Sequence, residues 1–146
     1  SEAARAACAR PPLRIAVAQW LAERGLVRAL IDLSDGLAGD AGHLAAASGA
    51  NVRLDAASVP LHAGLGELAS GRALELALYG GEDYELLFAA AAGTVEVHRA
   101  AFERSFDVPL TRVGSVASGA GVTLRHTGGE DTPADTGFDH FRQATP

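Results

Sequence analysis

At 146 residues, 48% of them hydrophobic, the chain is long enough for one domain with its own apolar core. Its formal charge of −6 and its 12 basic residues, all arginine, exclude lysine chemistry and argue against a basic face for nucleic acid or anionic lipid. The single cysteine, Cys8, excludes an internal disulfide, and no Cys/His spacing fits zinc. The apolar stretches are short and broken by charge, and Glu2, Arg5 and Arg10 interrupt any leader-like apolar run, so the expectation is a cytoplasmic domain without a membrane partner.

In chain order, residues 1–12 read as an Ala-rich lead-in ending in Pro11-Pro12, and 13–146 as one α/β domain. Ala16, Val17, Trp20 and Leu21 recur at helical spacing up to Gly25, a natural stop. Residues 26–33 form a compact apolar run suited to a buried strand. A helix over 37–48 follows, with Leu37, Ala41, Leu44 and Ala45 on one face and Gly49 as terminator. Residues 51–55 alternate polar and apolar, as a half-exposed strand does. The stretch 58–72 is punctuated by Pro60 and three glycines and reads as loop with a helical turn or two. A short helix over 73–78 closes on Gly80-Gly81, and 84–89 is a strand.

Thr94 is an expected N-cap for a helix over 94–106, with Val97, Ala101 and Phe106 turned inward. Residues 110–117 and 122–125 are expected strands joined by a turn at 118–121 that resembles a hairpin. Helices and strands interleave without a repeat. The predicted fold is therefore an α/β (α+β) sandwich, a mixed sheet with helices packed on it.

Two stretches carry chemistry. Asp32-Leu33-Ser34-Asp35-Gly36 falls at a strand-to-helix junction. Strand alternation puts Asp32 and Ser34 on one side, and Asp35 lands near the helix N-cap. Two carboxylates and a hydroxyl at a helix N-terminus suit a magnesium ion shared with phosphate oxygens, because Mg²⁺ prefers hard oxygen ligands and the helix end favours an anion. The same residues also serve a plain helix cap, and spacing alone leaves both uses open. Gly80-Gly81-Glu82-Asp83-Tyr84-Glu85 pairs glycines that permit close backbone approach with three acids, suited to a cationic group or to a charged strand edge. Near the end, Phe138 and Phe141 in Gly137-Phe138-Asp139-His140-Phe141 offer a stacking face or a staple to the core. His43, one turn beyond Asp40, is a surface or core histidine that could also stand behind the acidic turn. No Ser/His/Asp or Cys/His set is arranged for nucleophilic catalysis, and no Gly-rich nucleotide cradle occurs.

Residues 29–37 (ALIDLSDGL) and 78–86 (LYGGEDYEL), with Arg112-Val113-Gly114 and the closing Gly137-Phe138-Asp139-His140-Phe141, resemble the C-terminal half of the thiamine-monophosphate kinase family. The Arg10-Pro11-Pro12 entry is similar too. The resemblance covers essentially the whole chain, with the motifs in the family's order. It implies the aminoimidazole-ribonucleotide-synthetase superfamily architecture and transfer of the γ-phosphate of ATP to thiamine monophosphate with Mg²⁺. By resemblance, Asp32 and Asp35 are magnesium ligands, Ser34 contacts ATP, and Glu82 and Phe138 contact the thiamine substrate. No residue of this half is expected to act as a catalytic nucleophile or base. The family's N-terminal domain, which supplies most of the metal and ATP site and the homodimer contact, is absent from this sequence, so the chain alone is expected to lack turnover. A non-catalytic thiamine-phosphate module and other members of the superfamily, the selenophosphate synthetases and hydrogenase-maturation proteins among them, are the alternative readings.

Overall fold

The computed structural model describes residues 13–62 and 70–134. The lead-in over 1–12 and the tail motif with Phe138 and Phe141 lie outside the described residues. Among the described residues the α-helices are α1 (Ile15–Glu23), α2 (Leu37–Ser48), α3 (Ser70–Tyr79) and α4 (Thr94–Phe106). The strands are β1 (Ala29–Asp32), β2 (Asn51–Asp55), β3 (Leu86–Ala89), β4 (Gly114–Ala117), β5 (Gly121–Arg125) and β6 (Asp131–Pro133).

They form two sheets. β1 and β3 make an antiparallel ribbon, and the other four strands lie in the order β4-β2-β5-β6. β2 runs antiparallel to β4 but parallel to β5, so the larger sheet is mixed, as expected. The reason differs from the one the sequence offered. The turn at 118–121 does not close a hairpin, because β2 lies between the two strands that the turn connects.

The ribbon separates two cores. On one face Leu30, Leu86 and Phe88 pack against Val17 and Leu21 of α1, Leu26, and Phe102 of α4. Leu33 and Leu87, at alternate positions, pack on the other side against Leu37, Ala38, Ala41 and Ala45 of α2 and against Leu54, Val122 and Leu124 of the larger sheet. Period-two alternation thus lets a two-stranded ribbon bury both faces, and such a ribbon is marginal without that cover. Helix α2 touches both sheets and α3. Its small buried residues, Ala38, Ala41 and Ala45, permit close approach, and Gly49 ends it in the left-handed conformation (φ 58°).

Helix α4 turns Phe106 inward, as expected, but not Val97. Val97 is 81% exposed, whereas Phe102 is 1% exposed and packs edge-on to Trp20. The aromatic pair Phe102 and Phe106, one turn apart, and His98 all face Trp20, and this ring cluster outweighs a single valine. The N-cap of α4 is Gly93. Thr94 is the first helical residue, and its hydroxyl donates back to Ala91 O.

Candidate functional site

The two sequence motifs meet. The segment 81–85 runs antiparallel beside 32–35 and extends the ribbon past its regular end. Leu33 N donates to Glu85 O (2.8 Å), Tyr84 N to Leu33 O (2.8 Å) and Glu82 N to Ser34 O (3.0 Å). Glycine makes this approach possible. A Cβ on Gly81 would stand deep inside contact distance of Ser34 O, and one on Gly36 would lie 2.9 Å from Leu78 O and 3.0 Å from Gly80 O. Gly36 also takes φ 94°, which an L side chain resists.

Asp32 sits at the end of β1 opposite Leu86, and Ser34 lies two residues on in the bend that follows the strand; both are exposed. Asp35 does not cap the helix, contrary to expectation. The N-cap position of α2 is Gly36 and carries no side-chain cap. The Asp35 carboxylate instead accepts from Ser34 Oγ (3.4 Å) and lies 3.5 Å from His43 Nε2. The sequence did not single out the carboxylate that organises this turn. Asp40, 1% exposed, accepts through Oδ2 from the backbone amides of both Ser34 (2.9 Å) and Asp35 (3.0 Å). Its signal was an acid in the first turn of α2, three residues after Leu37, on the face that otherwise carries Leu and Ala. One atom each of Asp35, Asp40 and His43 falls within 4.8 Å of the others, and Asp32 is not part of that group.

Across the ribbon, Glu82 (φ 71°) and Tyr84 (φ 52°) are both left-handed, a conformation costing about 1–2 kcal/mol each for non-glycine residues. The segment keeps that strain because its amides are bonded to β1's continuation. The three acids of the segment have separate fates. Glu85 is held by Arg14, whose Nε and Nη2 donate to its two carboxylate oxygens at 2.9 and 2.6 Å. That bond, with the Glu85 charge and against some desolvation, raises the Arg14 guanidinium above its ordinary value. Asp83 is exposed, yet crowding within the segment removes enough solvent to push its carboxyl up, and the Glu85 charge adds to the shift. Glu82 is exposed and makes no side-chain hydrogen bond or ion pair with any described residue. The arrangement is thus a two-walled acidic edge. One wall carries Asp32, Ser34 and Asp35, the other Glu82 and Asp83, and the backbones between them are bonded shut.

A family model described as AIR synthase related protein, C-terminal domain, matches residues 1–127. The chain belongs to that family. Among curated relatives of this AIR synthase related domain, the thiamine-monophosphate kinase of Salmonella typhimurium is 39% identical over 142 residues, and that of Escherichia coli K12 is 38% identical over the same length. Each alignment covers 94% of this chain and 41% of the relative, so the chain spans about two-fifths of the length of these relatives. Among solved structures, the thiamine-monophosphate kinase of Stenotrophomonas maltophilia superposes with a TM-score of 0.72 at 41% identity, over 79% of this chain and 36% of that one. The complex of AaThiL with AMPPCP and TMP gives 0.61 at 31% identity, over 79% and 35%. HypE of Escherichia coli, at 23% identity and a TM-score of 0.69 over 88% of this chain and 40% of its own, shares the fold. No helix among the described residues is long and apolar enough to cross a membrane.

Proposed function

We propose that this domain is the C-terminal part of a thiamine-monophosphate kinase, which transfers the γ-phosphate of ATP to thiamine monophosphate and releases thiamine diphosphate and ADP. The observation that carries the reading is the backbone pairing of 33–34 with 82–85, which brings Ser34 opposite Glu82 and joins the two motifs at one end of the ribbon. The AaThiL complex with AMPPCP and TMP supports it, since that relative holds an ATP analogue together with TMP.

The donor set fits a hard cation. Asp32 and Asp35 are exposed carboxylates, Ser34 adds a hydroxyl, and Asp32 makes no side-chain bond to a described residue. Asp32 and Asp35 would hold magnesium, with Ser34 contacting ATP. Bound Mg²⁺ supplies charge neutralisation to a phosphoryl group in transfer. The chain's own task is positioning. The uncommitted carboxylate of Glu82 attracts the flat, cationic thiazolium of the acceptor, and Phe138 is assigned to pack against it. Phosphoryl transfer by in-line positioning calls for no protein nucleophile.

The remainder of the enzyme supplies the other metal ligands, most of the ATP site and the homodimer contact, and the assembled kinase works in the cytoplasm. The 146-residue chain alone is expected to give no turnover. An assay of ATP-dependent thiamine diphosphate formation by the intact protein and by this chain separates the possibilities. Turnover by the intact protein alone is the expected result. Binding of thiamine monophosphate without turnover in either form would favour a non-catalytic module instead.

A further inference from the structure

Asp40 is the only buried polar or charged side chain among the described residues. Removing a carboxylate from water is costly unless strong hydrogen bonds replace it. A helix cap does not account for that cost, because Gly36 occupies the N-cap of α2 and no side chain caps the helix. The acceptor is spent outside the helix, on the amides of Ser34 and Asp35.

The bonds around this turn divide into two sets. Leu33 N, Leu33 O and Ser34 O are tied to the facing segment through Glu85, Tyr84 and Glu82, whereas Ser34 N and Asp35 N are tied to Asp40 alone. Bonds from an ionised acceptor are about twice as strong as neutral ones, so a single oxygen serving both amides locks the two residues together. The buried charge also sits at the N-terminal end of α2, where the helix dipole favours an anion.

We infer that Asp40 is a positioning residue, which fixes the backbone of Ser34 and Asp35 so that their side chains are held toward the phosphoryl-transfer site. The inference rests on the kinase reading for what the turn positions, and on the hydrogen bonds for how. It separates the two walls: loss of Asp40 frees the 34–35 turn but leaves Glu82 tied to Ser34 O.

The test uses Asp40→Ala and Asp40→Asn. Amide hydrogen exchange read by NMR on this chain should speed up tenfold or more at Ser34 and Asp35 in Asp40→Ala, with the amides of β2 and β5 unchanged. Asp40→Asn keeps an acceptor in place, so protection should largely return, while the amide protons of Ser34 and Asp35 move upfield as the charge-assisted bond becomes neutral. In the intact protein, kcat should fall tenfold or more in Asp40→Ala, with KM for thiamine monophosphate within about twofold of wild type and most of the rate restored in Asp40→Asn. Unchanged exchange at Ser34 and Asp35, or a loss spread evenly over β2 and β5, would overturn the positioning role. If the alanine variant does not fold, unmoved amide shifts in Asp40→Asn overturn it equally. Absence of kinase activity in the wild-type protein would instead sink the functional reading and leave the exchange result standing.

Discussion

Asp35 and Asp40 are both acids at the start of one helix, and their surroundings give them opposite tasks. Asp35 is exposed and holds no backbone amide, whereas Asp40 is buried and holds two. Asp35→Asn should therefore leave the thermal midpoint nearly unchanged, since surface substitutions away from caps and buried networks shift stability by only about 0.5 kcal/mol. In the intact protein the same variant should lower kcat at saturating Mg²⁺ by about tenfold or more if, as proposed, Asp35 is a charged metal ligand. Glu82→Gln should raise KM for thiamine monophosphate by several-fold and leave KM for ATP in place, as steady-state kinetics with each substrate varied will read. The sequence showed the residue types at both walls through their spacing, and the glycines through the close approach they permit. Asp40 was hidden because a helical acid reads as solvent-facing until the packing of α2 against both sheets is known. Phe102 was overlooked in favour of Val97 for a related reason, since its partner Trp20 meets it only after α1 docks on α4.

Among elements, the ribbon's extension past β1 and β3 is what makes a site. Gly81→Ala should be destabilising by about 1–3 kcal/mol, the usual cost of forcing extra volume into a close-packed contact, because the Cβ meets backbone at Ser34 that cannot swing away. Chemical denaturation will measure it. The Asp83 carboxyl gives the segment a pH signature. Its folded pKa lies above the ordinary value of 3.8, so the folded state holds the proton more tightly than the unfolded chain. The associated stability is present in full below 3.8 and is lost as pH rises through the folded pKa. Asp83→Asn should flatten that fall in denaturation curves taken across the acidic range, and an unchanged slope would remove Asp83 as its source. The sequence foresaw helices α1, α2 and α4 well, since apolar period and glycine stops are local signals. Strand β6 was missed because Asp131-Thr132-Pro133 has no apolar alternation; it is held by pairing to β5 and by the Arg125–Asp131 ion pair. The insertion of β2 between β4 and β5 is a long-range pairing that a local turn signal cannot report.

For the whole molecule, the division of labour follows from where the acids lie. Two cores on either side of the ribbon make a stable frame. The carboxylates of Asp32 and Glu82, which bond to no described residue, stand at the ribbon's extended end. This end is proposed as one site with two walls. Hydrogen–deuterium exchange of the intact protein, with and without thiamine monophosphate and Mg-ADP together, tests it most directly. Peptides containing 33–36 and 81–85 should gain protection together, while those from β4 and the outer part of α4 should not change. Protection of one segment without the other, under conditions where both ligands are bound, would contradict it.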